Sequence, residues 1–566
     1  MMNKLKLTIL FFIFSSLLSA CGVEETSPPP AAISVTLTPN AANVLVDQSV
    51  LFMATVYNST NRAVIWTLSG IGCSGATCGT ISSTGLYTAP ATAPTPASVI
   101  VKATSAADTS KSASATITVL EPDVVEWTWI SGSNIRFESG IYGTRGTAAP
   151  TNVPGARQDA VSWLDPGGHF WLFGGYGLDS SGTTSGDGGE LNDLWRFDPT
   201  TLEWTWISGS TDREQPGIYG TKGTPDPANV PGARYYAVSW IDPGGNLWLF
   251  GGLGYDSAGR FGLLNDLWKY DLTSHEWTWV SGSNSRDPLG IYGTKGTAAP
   301  SNVPGARQGA VSWLDSDGNR WLFGGLGVDS AGNHGWLNDL WKYDPTSLEW
   351  TWESGSDVFM QPGIYGTRNI AGPSNVPGSR VWAVSWRDAS GKFWLFGGLG
   401  YDSAVGGGTL NDLWKFDPAT LQWIWVSGSS SNGQAGSYGT KGIPSPSNVP
   451  GARLEGATGV DSQGNLWLFG GDGYDSIPWE GQINDLWKFD PTILEWAWIS
   501  GSSTLASAGA GIYGTKGVAD PLNRPGGRYG ALSWFDSQGG FWLFGGGGVD
   551  ATGEGGYLND LWHFIR

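Results

Sequence analysis

Cysteine is nearly absent from this chain. Of 566 residues only Cys21, Cys73 and Cys78 carry a thiol, and residues 123–566 have none to offer a metal or redox site. Histidine is almost as scarce: His169, His275, His334 and His563 stand in unrelated contexts and form neither a metal cluster nor a triad. Charged residues make up only 14% of the chain, and acids outnumber bases 50 to 31, for a net charge of −19. Such a surface repels phosphate backbones, so nucleic acid is excluded as a partner. After the first twenty residues no long stretch has the apolar period of a helix, and the mature chain reads as all-β. The chain's double glycines are not followed by Lys-Ser/Thr at phosphate-loop spacing. The loops at Asp179, Asp256 and Asp329, with looser copies at Asp402, Asp475 and Asp550, lack the alternating oxygen ligands of a calcium loop and read as turns. No metal and no cofactor is expected.

Glycine (86) and tryptophan (33) are abundant instead, which suits short strands, tight turns and large aromatics filling the space between sheets. They recur in order. Asn-Asp-Leu-Trp begins at Asn192, Asn265, Asn338, Asn411, Asn484 and Asn559, with spacings of 73, 73, 73, 73 and 75. Leu-Phe-Gly-Gly and Pro-Gly-x-Arg keep step with it, the latter placing Arg157, Arg234, Arg307, Arg380, Arg453 and Arg528. A fixed long period signals a propeller or solenoid. Each unit holds four strand candidates; in the third they are 310–314, 320–323, 339–343 and 349–352. Alternation puts Trp350 and Trp352 on one face, able to pack on a neighbouring sheet.

The double glycine after an apolar strand, the Asn-Asp-Leu-Trp-Lys-Tyr-Asp strand, the last-strand Trp and the Arg shortly after a Pro resemble kelch repeats. The resemblance covers residues 123–566 and implies a β-propeller. Its units are longer than the roughly fifty residues of kelch, mainly between the fourth strand and the next first strand. Trp127-Thr128-Trp129 is a fourth strand with no blade before it, whereas the last unit stops without one. The N-terminal strand is therefore expected to complete blade six, removing two open edges. Galactose oxidase, an enzyme associated with kelch-like propellers, needs a cysteine crosslinked to tyrosine, and residues 123–566 lack one.

Residues 1–20 have a basic start and an apolar run, and Leu18-Ser19-Ala20-Cys21 resembles a bacterial lipobox. That resemblance implies a lipoprotein signal peptide and a lipid anchor on Cys21, with a plain membrane anchor as the alternative. Gly22 after the cysteine implies outer-membrane or cell-surface location in a Gram-negative host, and 21–32 reads as a tether. Residues 33–120 alternate as short strands of a small β-sandwich resembling bacterial Ig-like domains. Cys73 and Cys78 are expected to form a disulfide in an exported protein; a metal pair would need ligands the neighbourhood lacks.

What recurs six times is most simply scaffold, including the repeated Asp, which is read as satisfying local backbone groups. Function is sought where the repeats differ. Two residues after each Arg stand Asp159, Tyr236, Gly309, Trp382, Glu455 and Gly530, on the same strand face as the Arg. Kelch resemblance places this region near the entrance to the central channel, where related proteins use Arg for binding. The six Arg, Asp159, Tyr236, Trp382 and Glu455, with Trp336 and Trp479 from the loops between strands two and three, are the candidate ligand-binding residues. Phe261 and Tyr557 are assigned to the same loops. The expected function is a non-catalytic, monomeric cell-envelope lipoprotein whose propeller binds a protein or carbohydrate. The alternatives are a sugar isomerase or lyase using Asp159 and Glu455 with an Arg, and a purely structural envelope protein.

Overall fold

A computed structural model describes residues 31–121, 126–182, 186–504 and 509–565. Cys21, the signal peptide and all but the end of the tether lie outside the described residues. The chain forms two units, Met1–Glu121 and Pro122–Arg566.

In the first unit, alternating strands produce a four-stranded sheet in the order Ala41–Leu45, Ser112–Leu120, Ser98–Ser105, Val64–Ser69, with the first pair parallel. A three-stranded sheet of Ser49–Leu51, Leu86–Thr88 and Thr80–Ile81 accompanies it. Val99, Val101 and Ile117 from the larger sheet share one apolar cluster with Phe52 and Tyr87. Cys73 and Cys78 are joined by a disulfide, Cα to Cα 5.1 Å.

The second unit is a β-propeller of six blades. Blade three shows the plan: Val311–Leu314, Arg320–Val328, His334–Asp344 and Glu349–Ser354 are consecutive antiparallel strands, with the short Arg307–Gln308 strand pairing on the far half of the second. The sequence places the end of strand two at the double glycine. The strand instead runs through it in four blades, with a register shift such as that between Phe323 and Gly325. Gly324 (φ 66°) and Gly325 (φ 98°) make this kink possible, since a Cβ there would meet Arg380, Leu337 and Gln308 carbonyls within 3.0 Å. Strand three accordingly starts earlier than expected, and Trp336, Phe261 and Tyr557 belong to it rather than to loops.

Innermost strands of successive blades touch in order, and Val161–Leu164 of blade one also touches Leu532–Phe535 of blade six, so the ring is closed. Glu126–Ser131 pairs antiparallel with Gly555–Ile565 and completes the last blade. Aromatics fill the space between blades: Trp350 of blade three packs with Trp240, Trp248 and Phe250 of blade two. Burying such a ring stabilises by about 3 kcal/mol or more.

The extra length of each unit forms a strap across the outer edge of the blade that follows. In the strap before blade two, Ile218 bridges Val230, Asp226 bridges Trp277, and the Gly223 N–H donates to the Trp279 carbonyl at 2.8 Å. Lys222 sits 4.3 Å above the Trp279 ring and donates to the Gly282 carbonyl. The strap thus occupies hydrogen-bonding groups that an edge strand would leave open. Across blade six the same strap clasps the N-terminal strand: Lys516 lies over Trp129, and Asn523 donates to the Trp127 carbonyl.

Candidate functional site at the channel mouth

The three repeated motifs, with a tyrosine from the strap, converge on one buried cluster per blade. In blade two, Arg234 forms two parallel bonds to Asp266 (2.7 and 2.8 Å) and donates also to the Gly232 and Gly251 carbonyls. Asp266 accepts further bonds from the Tyr219 hydroxyl (2.6 Å) and the Trp268 indole N–H (2.7 Å). The same pairing joins Arg157 to Asp193, Arg307 to Asp339, Arg380 to Asp412, Arg453 to Asp485 and Arg528 to Asp560. Each of these arginines is only 1% exposed.

Two expectations are corrected here. The six arginines do not face the mouth as ligand donors; they point into their own blades, because a buried guanidinium requires a carboxylate and a ring of acceptors. The repeated Asp is that partner, not a satisfier of local backbone. The neighbouring Asn does the backbone work: Asn265 accepts from the Ser283 N–H and donates to the Pro304 carbonyl of the next blade. Asn559 donates to Pro154 and so links the last blade to the first.

Two residues beyond each Arg, the backbone forms a closed hydrogen-bonded ring. The N–H of Asp159 donates to Gly530, Tyr236 to Asp159, Gly309 to Tyr236, Trp382 to Gly309, Glu455 to Trp382 and Gly530 to Glu455, all at 2.8–3.0 Å. All six residues are left-handed, φ 55–60°. For Asp159, Tyr236, Trp382 and Glu455 that conformation costs about 1 kcal/mol or more each and persists because the ring bonds fix it.

Side chains of these four residues fill the centre as a plug. The Tyr236 hydroxyl donates to Glu455 Oε1 at 2.7 Å, linking blade two to blade five. Its ring lies 5.3 Å from that of Trp382. Gln158 Nε2 donates to Asp159 Oδ2 at 2.8 Å. Gly309 and Gly530 make room: a Cβ on the first would strike Trp382, and on the second the Asp159 carboxylate. Against the plug lies a cavity of about 170 Å³, walled in part by Ala160, Ala237, Ala310 and Ala383, each the residue just before a first strand.

The two carboxyls share one electrostatic problem. Burial pushes Asp159 up to about 7, although bonds from Tyr236 and Gln158 oppose the shift. Burial, then the nearby Asp159 charge, hold Glu455 well above the usual carboxylate range. Among the described residues no arginine pairs with either carboxyl, since Arg157 and Arg453 are taken by Asp193 and Asp485, so the carboxylate–arginine arrangement anticipated for an enzyme is not assembled.

Above the plug, sequence variation follows one register. Gln158, Tyr176 and Glu190 lie opposite one another on three strands of blade one. The equivalent triplets are Tyr235, Leu253 and Leu263 in blade two, Gln308, Leu326 and Trp336 in blade three, and Leu454, Asp472 and Gln482 in blade five. Blade six contributes Tyr529, Gly547 and Tyr557. Tyr176 reaches both neighbours, 5.6 Å from Tyr557 and 5.5 Å from Tyr235. Tyr235 then meets Tyr236 at 4.9 Å, so aromatic rings run unbroken from the rim to the plug. Tyr176, Tyr235, Tyr529 and Tyr557 are all half-buried.

Sequence reasoning singled out the plug positions but missed Tyr176, Glu190, Tyr235, Asp472 and Tyr529. The signal was available at three more fixed offsets: one after the Arg, one after the double glycine, and two before the Asn. Of the other candidates, Trp336 packs on Tyr401 at 5.2 Å, and Trp479 is 70% exposed.

No protein-family model and no curated protein matches the chain. Among solved structures it is similar to one titled "Structure of YjhT", at 16% identity over 72% of this chain and 95% of that one, TM-score 0.41. It is also similar to an endo-arabinase from Bacteroides thetaiotaomicron, at 12% identity over 61% of this chain and 95% of that one, TM-score 0.29.

Proposed function

We propose that the propeller is a non-catalytic carbohydrate-binding module, carried on the cell envelope by a lipid on Cys21 and held off the membrane by an Ig-like spacer. The observation that carries this reading is the register of variation. Three cross-strand positions per blade differ around the ring, while the Arg–Asp cluster beside them is the same in all six. Half-buried tyrosines with acceptor groups between them suit the apolar faces and hydroxyl edges of a sugar. Catalysis by Asp159 and Glu455 is the weaker reading. A general acid and base must both reach substrate, and these carboxyls are engaged within the plug by Tyr236 and Gln158.

A glycan array probed with the full chain and with Tyr235→Leu and Trp479→Ala variants tests the reading. Wild type is expected to retain a defined glycan set, and the Tyr235 variant to lose it. Binding of a protein but no glycan would replace carbohydrate by a protein ligand; turnover of a bound glycan would restore the enzyme. For the anchor, Cys21→Ser is expected to abolish fatty-acid labelling and to release the chain from the membrane fraction.

A further inference from the structure

The cross-strand positions that form a funnel above the plug hold Gln158, Glu190, Gln308, Asp472 and Gln482 and no Lys or Arg. Glu190 is 7% exposed and faces Tyr176, its cross-strand partner. Its own backbone N–H donates to its carboxylate, no other hydrogen bond reaches that carboxylate among the described residues, and its charge is felt at Tyr235 and Tyr255. Arg213 packs against Gly189 on the other face of that strand, donating to the Asp187 carbonyl and pairing with Asp179. Burial, with Glu214 adding to it, raises Glu190 above the usual carboxylate range, as expected of a carboxylate lacking a counter-ion.

A second observation is independent of the acids. Gln308, 6% exposed and one residue from the ring, has no hydrogen-bond partner for its Oε1, and neither does Gln158 Oε1 at the same offset in blade one. Trp382 Nε1 is the one indole donor at the plug that is likewise without a partner. Buried acceptors left open cost about 1–3 kcal/mol each, and a ligand bearing several donors relieves that cost. Carboxylate, tyrosine faces and open amide oxygens together describe a site for a cation that also carries hydroxyls.

We propose that the funnel binds an amino sugar, with its ammonium group lodged between Glu190 and the rings of Tyr176 and Tyr235 and its hydroxyls donating to the amide oxygens of Gln158 and Gln308. The proposal rests on the carbohydrate-binding reading and narrows it to a sugar whose amine is free rather than acylated.

Calorimetric titration of the full chain with a glucosamine tetrasaccharide and with its N-acetylated counterpart tests it. Wild type is expected to prefer the free amine by about tenfold or more, and Glu190→Gln to abolish that preference while still binding. Glutamine keeps the shape of the side chain, and a thermal melt of the variant confirms the fold. Added salt is expected to shrink the wild-type preference, a second readout that needs no variant. Equal affinity for both sugars would overturn the amino-sugar inference and leave the carbohydrate reading standing. Binding of neither sugar, alongside binding of a lysine-containing peptide, would overturn both.

Discussion

Arg234 and Tyr236 stand two residues apart just before the first strand of blade two, Val238–Ile241, yet the ring uses them in opposite ways. Arg234 and its five counterparts have one environment: a carboxylate, two carbonyls, a tyrosine hydroxyl and an indole, all inside one blade. Tyr236 and its five counterparts share only a backbone conformation and a hydrogen bond to the next blade; their side chains are two acids, two large aromatics and two hydrogens. Charge is compensated six times over in the first set and concentrated without compensation in the second. Symmetry is the cheapest way to build a ring from one unit, so a departure from it at the axis needs a reason other than folding.

The sharpest way to break that comparison is to remove one charge from each set. Asp266→Ala strands a buried Arg234, and unfolding by denaturant is expected to show a loss of about 3–5 kcal/mol. Asp412→Ala in blade four is expected to cost the same, since its surroundings are the same.

Gly309→Ala places a methyl group 2.6 Å from Trp382 at a left-handed position, and a loss of about 2–3 kcal/mol is expected, smaller than for the stranded arginine. Trp382→Ala in the same chain should recover part of it if steric conflict is the cause.

Asp159→Asn is expected to act in the reverse direction to Asp266→Ala. Because the folded-state pKa of Asp159 is raised from 3.8 to about 7, the folded chain holds more protons than the unfolded one between those values. Stability from this group therefore falls as pH rises through that window, by at most about 1.4 kcal/mol per pH unit. The variant should flatten the slope and be as stable as wild type or more so at neutral pH; an unchanged slope would mean Asp159 is not the titrating group.

Lys222→Ala should have the smallest effect, about 0.5–1 kcal/mol, because its ammonium is partly exposed over Trp279. Lys516→Ala, the same change on the strap over the N-terminal strand, is expected to match it in stability but to speed exchange of amides at Glu126–Ser131, where the ring closes.

Much of this was legible in the chain. A period of 73 residues, four strand signals per period and an unpaired Trp127-Thr128-Trp129 specify the blades, their number and the closing strand, because hydrophobic alternation and chain connectivity are local properties of sequence. The offsets at which Asp159, Tyr236, Trp382 and Glu455 break the repeat were equally visible. What each residue does was not. Arg234 and Asp266 are separated by 32 residues, and only the folded blade shows that they neutralise each other. Arginine at a channel mouth and arginine in a blade interior have the same sequence signature. The hydrogen-bonded ring, the bond from Tyr236 to Glu455 across the axis and the uncompensated Glu190 depend on six blades meeting at once. Closure of the ring decides them, through burial and the low dielectric it brings, and no single repeat contains that information.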